Sequence, residues 1–177
     1  MNTWDTIQIR KIDIDDVILL QSIGRQTFME TFADGNTEEN MRKYLEEGFS
    51  IEKLTSALND KNAAFYLAEN TENVVAYLKL NFGGSQTELK DEKAVEIERI
   101  YVLKEFHGQN VGQMLYEKAI QVAKDHNSDY IWLGVWEENP RAIRFYEKNG
   151  FVAFDKHIFR LGDDEQTDIM MKKKLEY

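Results

Sequence analysis

From residue 96 the chain reads EIERIYVLKEFHGQNVGQMLYEKAIQVA, and the spacing of its apolar positions changes part-way along. The stretch up to about Leu103 reads as a strand. From Val111 onward, Val111, Met114, Leu115, Ala119, Val122 and Ala123 recur at helical spacing and predict a helix with one buried face. Between the two lies a small-residue turn that holds Gly108, Asn110 and Gly112. A second such unit follows. Tyr130–Trp136 is aromatic and β-branched enough for a buried strand. Asn139 then Pro140 gives an N-cap with proline at the first helical position. Asn149-Gly150 closes that helix after about ten residues, with Gly150 where a left-handed cap sits.

The remaining pattern completes the order. Residues 7–12 alternate as a first strand. Asp15 or Asp16 caps a helix to about Phe32, with Val17, Leu20, Ile23, Phe28 and Phe32 among its apolar positions. After a turn at 34–36, Thr37-Glu38-Glu39 opens a helix to about Glu47, which Gly48 stops. A short helix over Ile51–Leu58 follows. Residues 63–68 and Val74–Phe82 form a strand pair, and 83–93 a polar loop. The chain ends on strands 151–161 and 167–175 around a turn at 162–165. The order β-α-α-β-β-β-α-β-α-β-β, with the short helix added, suits an α/β (α+β) sandwich around a mainly antiparallel sheet. No repeat or linker divides residues 1–177, which read as one domain.

Composition narrows the function. Hydrophobic residues make up 42% and there is one proline, so the chain is an ordinary globular one. No stretch approaches a membrane span. The N-terminal MNTWDTIQIRK lacks the apolar core of a signal peptide, which predicts a cytoplasmic protein. With no cysteine, disulfides, thiolate metal sites and a cysteine nucleophile are excluded. A net charge of −10, from 22 basic and 32 acidic residues, makes nucleic acid a poor partner and is compatible with a small cationic substrate. Acidity alone also keeps such a protein soluble. Exposed sheet edges are compatible with a homodimer.

Few residues offer chemistry. Ser85 lacks the framing of a serine nucleophile, no Walker sequence is present, and His107, His126 and His157 lack metal-ligand spacing. The turn before the helix exposes free N–H groups at the positive helix end, which holds phosphate without side chains, although glycine there also serves as punctuation. Tyr146 is either an aromatic on a buried helix face beside Phe145 or a proton donor, since a phenol with a reference pKa of about 10 is protonated at neutral pH. Strand alternation puts Glu96 and Glu98 on one face, where each disfavours the other's ionisation. Glu98 is either a base acting through water or a salt-bridge partner of Arg99 or another surface base. Gly134 is a place for strand distortion.

The strand–turn–helix resembles the acetyl-CoA motif of the GCN5-related N-acetyltransferases: Gln or Arg, two residues, Gly, one residue, Gly or Ala. Here those places hold His107, Asn110 and Gly112. Asn139, Ala142, Tyr146 and Gly150-Phe151 are similar to the family's second signature. The resemblance runs over nearly the whole chain. It extends to bacterial PaiA-type spermidine/spermine acetyltransferases at residues 37–45, 96–101, 131–137 and 162–170. It implies a mixed, mainly antiparallel twisted sheet with helices on both faces, acetyl-CoA as co-substrate and no metal. It implies Tyr146 as the acid and Glu98 as the base. Two central strands would splay around the cofactor arm, which would meet the backbone of Ile100, Tyr101 and Val102. The turn of His107, Gly108, Gln109, Asn110, Val111 and Gly112 would take the pyrophosphate, with Asn139 on the arm and Lys148 on a phosphate. The first helices and last hairpin would border a polyamine acceptor. Residues 30–60 hold eight acids against three bases, and 163–165 add three more, which points to Glu30, Asp34, Asp163 and Asp164 beside Glu96 and Glu98. Another amine (a protein N-terminus, amino acid or aminoglycoside) and a non-catalytic acyl-CoA-binding regulator are the alternatives.

Overall fold

The computed structural model describes residues 6–177. The signal-peptide reading above begins on residues 1–5, which lie outside the described residues. One seven-stranded sheet organises the rest: β1 (Gln8–Lys11), β2 (Ala63–Glu69), β3 (Val74–Phe82), β4 (Ala94–Val102), β5 (Tyr130–Trp136), β6 (Val152–Leu161) and β7 (Asp164–Lys174). Its order is β1-β2-β3-β4-β5-β7-β6, with every pair antiparallel except β4 and β5. Helices α1 (Val17–Phe32), α2 (Glu38–Gly48) and α3 (Ile51–Leu58) precede β2. Helices α4 (Val111–Asp125) and α5 (Pro140–Lys148) follow β4 and β5.

Alternation along the strands gives the sheet two apolar faces, and each collects helices. Val95, Ile97, Ile131, Leu133 and Val135 pack with Val111, Leu115 and Ala119 of α4. On the other face Phe65, Leu67 and Tyr77 pack with Leu20, Phe28 and Phe49. The sandwich read from the sequence is therefore present, with helices on both faces. Among the described residues no helix is long and apolar enough to cross a membrane.

Local departures have local causes. Asp16 occupies the N-cap position of α1, as read, but makes no side-chain cap bond there; a short helical turn over Ile14–Asp16 precedes α1 and is opened by Asp13, whose side chain accepts from Asp15 N at 2.9 Å while Asp16 reaches back to Asp13 N. The last strand starts at Asp164 instead of 167. Gly162, at φ +60°, makes a two-residue hairpin turn, so Leu161 already pairs with Asp164.

Two irregularities of β4 create the site. It pairs with β5 only through Ala94–Tyr130, Val95–Ile131, Glu96–Trp132 and Ile97–Leu133, so the strands separate beyond Ile97. On its other edge Lys79 lies opposite Arg99 and Leu80 opposite Ile97, which leaves Glu98 as the extra residue of a β-bulge. The bulge reverses the alternation: Ile100 and Val102 join Ile97 on the α4 face, and Tyr101 turns to the α1–α3 face.

Candidate functional site

The separation of β4 and β5 opens a cavity of about 930 Å³. Past Ile97 the β5-facing edge of β4 has no strand partner, so apart from the Val102 carbonyl, which His107 engages, its backbone donors and acceptors are open to a ligand. Ile100, Tyr101 and Val102 lie on the wall. At one end stands the turn before α4. Gly108 and Asn110 adopt φ of +80° and +69°, the left-handed conformation that glycine and asparagine tolerate best. Asn110 makes no side-chain cap bond to the first turn of α4, so the N–H groups of Val111, Gly112 and Gln113 are unpaired among the described residues. This concave arrangement of free amides at a positive helix end fits a phosphate group.

His107 contributes through its ring. Its Nε2 lies 2.9 Å from the Val102 carbonyl, which can only accept, so Nε2 donates. Nδ1 is left to accept from the guanidinium of Arg141. Arg141, in the first turn of α5, thus stands beside the phosphate turn and lines the cavity. Sequence reading missed it. The available signal was a cation in a first helical turn, against the helix dipole. Asn139 caps α5 through Oδ1 to Ala142 N at 3.2 Å, and both Asn139 and Lys148 reach the wall. Gln109 does not; its amide donates to Glu105 O at 3.2 Å.

Tyr146 lines the cavity. It is 7% exposed, and its ring meets Phe145 and Phe151 edge-on at 5.4 and 5.5 Å. Its hydroxyl bonds to no described residue. Burial lifts the phenol above its ordinary value, so it stays protonated.

The two glutamates of β4 share a face but differ in state. Glu96 is 3% exposed and fully occupied. Oε1 accepts from Asn81 Nδ2 and Thr87 N at 2.9 and 2.8 Å, and Oε2 accepts from Thr87 Oγ1 at 2.6 Å. Desolvation raises its pKa, the bonds from Thr87 and Asn81 oppose this, and the nearby Glu98 adds the smallest upward push. Glu98 Oε2 lies 2.6 Å from Lys79 Nζ and 3.8 Å from Arg99 Nε, charge contacts without a well-directed hydrogen bond. Arg99 sits 4.8 Å over the Phe49 ring.

Glu96 offers a test of this local electrostatics. A carboxyl whose pKa is raised on folding destabilises the fold once pH exceeds the ordinary glutamate range, because the unfolded chain then releases its proton more readily. Glu96→Gln keeps two acceptor bonds and can donate to Thr87 Oγ1. It is expected to melt higher than the parent at about pH 8 and equally near pH 4, where both side chains are neutral. A lower melting temperature at about pH 8 would show instead that the charge-assisted bonds outweigh desolvation.

The acids expected around an acceptor divide. Glu96 and Glu98 line the cavity, whereas Glu30, Asp34, Asp163 and Asp164 do not. Glu30 is turned away to accept from Lys104 N at 2.8 Å, and the other three sit on exposed turns or strand ends. Asp168 and His157 take part in the wall instead, with Phe32, Trp136 and Phe159. The signal for Asp168 was an acid placed directly before the apolar Ile169-Met170-Met171 of the last strand.

Comparison with known proteins adds to this geometry. The model of the acetyltransferase (GNAT) family matches residues 25–151. The chain is 37% identical over 169 residues to an uncharacterized N-acetyltransferase of Lactobacillus delbrueckii subsp. lactis, covering 96% of each. It is 25% identical over 175 residues to the spermidine N(1)-acetyltransferase of Thermoplasma acidophilum, covering 97% of this chain and 99% of that protein. The crystal structure of the PaiA N-acetyltransferase from Thermoplasma acidophilum in complex with coenzyme A matches with a TM-score of 0.78 at 25% identity, covering 96% of this chain and 99% of that one.

Proposed function

Because the chain belongs to the GNAT acetyltransferase family and is an N-acetyltransferase, we propose that it acetylates a primary amine of a small polyamine by direct attack in a ternary complex. The observation that carries the transfer chemistry is that Tyr146, Glu98, the unpaired edge of β4 and the phosphate-type turn all line one cavity. Acetyl-CoA supplies the activated acetyl thioester. The turn at 107–112 holds the pyrophosphate through main-chain N–H groups, with the Arg141 charge beside it. Backbone of 100–102 orients the arm along β4, and a main-chain N–H there faces the carbonyl oxygen as it gains charge. Asn139 binds the arm and Lys148 a phosphate.

The protein moves two protons. The acceptor ammonium releases one to solvent through a water relay beside Glu98, whose charge attracts the cation. A carboxylate with a reference pKa of about 4.3 is too weak to take it directly from an amine near 10. The second leaves the attacking nitrogen once the C–N bond has formed: as the C–S bond breaks, the Tyr146 hydroxyl protonates the departing sulfur, and the nitrogen's proton returns through water to restore the phenol. No covalent intermediate with the protein is involved.

The polyamine assignment rests on the relative named spermidine N(1)-acetyltransferase, which aligns over nearly the full length of both proteins, and on a cavity with aromatic walls and carboxylates. Rings pack against one another along it, Phe32 with Trp136 at 5.6 Å and Phe159 at 6.1 Å. Such walls suit a methylene chain, and acids suit its ammonium groups. The test is CoA release with spermidine, spermine, putrescine, lysine, an aminoglycoside and butylamine. Spermidine or spermine is expected to lead, with a preference that shrinks as salt is added. Equal rates with butylamine would remove the polyamine assignment. No release with any amine would remove catalysis and leave an acyl-CoA-binding regulator.

A further inference from the structure

We propose that Asp168 seats the second, non-reacting ammonium group of the acceptor and so makes the enzyme prefer a diamine to a monoamine of equal length. This rests on the acceptor class proposed above.

Three acids line the cavity, and their surroundings separate them. Glu96 has both oxygens occupied by Asn81 and Thr87. Glu98 faces two cations, Lys79 at 2.6 Å and Arg99 at 3.8 Å, so its end of the cavity carries no surplus negative charge for a further ammonium. Asp168 differs from both. No hydrogen bond reaches its carboxylate from any described residue. The nearest basic atom is His157 Nε2 at 3.8 Å, beyond bonding distance, and His157 Nδ1 is itself 3.2 Å from Glu88 Oε1. Asp168 is thus a side chain only 19% exposed, on a cavity wall, lacking a donor.

The fold leaves this carboxylate open. Asp168 lies opposite Trp136 on β5, two residues beyond Gly134 on the same face. A Cβ on Gly134 would sit 3.5 Å from Asp168 Oδ2, so the missing side chain is what uncovers that oxygen. Gly134 belongs to the separated part of β5, where the ligand gap begins. A desolvated carboxylate without a donor is costly in the free protein, and burial accordingly raises its pKa. An alkylammonium supplies the missing charge and up to three donors. The neighbouring Trp136 and Phe159 rings accommodate the apolar linker between the two amines. The ligand class is a primary or secondary ammonium on a short alkyl chain.

The experiment compares 1,4-diaminobutane with butylamine in the wild type and in Asp168→Asn, with acetyl-CoA affinity by calorimetry as the control for folding. The wild type is expected to favour the diamine. In Asp168→Asn the ratio of the two kcat/KM values should fall at least about tenfold, carried by KM for the diamine, the scale of one charge-assisted bond. Asp168→Glu, which keeps the charge, should retain part of the preference. A wild type without preference would sink the acceptor class and this seat together. A wild-type preference kept intact in Asp168→Asn would sink the seat alone. Should Asp168→Asn fail to fold, Gly134→Ala carries the test, because its methyl group makes only ordinary contacts yet covers Oδ2. It should raise KM for the diamine more than for butylamine, and an equal effect on both would overturn the proposal.

Discussion

Tyr146→Phe lowers turnover with the preferred amine by roughly one hundredfold or more, the scale of losing a positioned proton donor, and leaves acetyl-CoA affinity close to that of the parent. The change is narrow because of where the ring sits. Phe145 and Phe151 hold it edge-on, and the hydroxyl makes no bond to a described residue, so phenylalanine keeps the packing and removes only the donor. Folding stability is therefore expected to hold, which separates loss of chemistry from loss of fold. Burial raises the phenol's pKa, so Tyr146 keeps its proton through the neutral and mildly alkaline range. Any fall of activity within that range belongs to another group. Steady-state CoA release together with calorimetric titration checks this, and near-normal turnover would return Tyr146 to a packing role in the core.

Gly112→Val weakens acetyl-CoA binding by more than about tenfold, or about 1.4 kcal/mol. Gly112 is the second residue of α4, on the cavity wall. A Cβ there meets only Val102 Cγ2, at 3.8 Å, an ordinary contact. The branched methyl groups then crowd the amides of the first helical turn, where a phosphate must come within hydrogen-bond distance. Titration calorimetry on protein with a parent-like melting temperature measures it. Unchanged affinity would remove this turn from the cofactor site.

Much of this architecture is legible one segment at a time. Gly150 reads as a left-handed cap and adopts φ of +94°. Asn139 and Pro140 start a helix as their types require. The apolar spacing of Val111, Leu115 and Ala119 foretells the buried face of α4. These features depend on neighbours within about one helical turn, where backbone sterics and hydrogen bonding act, so residue types suffice. The same locality explains the difference at the last hairpin. Gly162 allowed a tighter turn than the acidic run after it indicated, which drew Asp164 into the strand and left Asp163 at the tip, off the cavity wall.

The chemistry of the cavity depends on neighbours distant in sequence. Glu98 stands among cations because a bulge opposite Lys79 adds one residue to β4, and such an insertion moves the following side chains to the other face. Asp168 enters the wall because β7 pairs with β5 in a register that sets it beside the bare Gly134, while β6 brings His157 alongside. Arg141 reaches the phosphate turn only through the ring of His107, 34 positions earlier. Periodicity along a single strand tells which side of a sheet a residue occupies, but carries no information about which strand lies next to it. The chain alone thus specifies its elements, most of their caps, the left-handed cap at Gly150 and its family. Strand pairing and register, set by packing of the whole core, select which carboxylates are spent on protein cations and hydrogen bonds and which one remains free for a ligand.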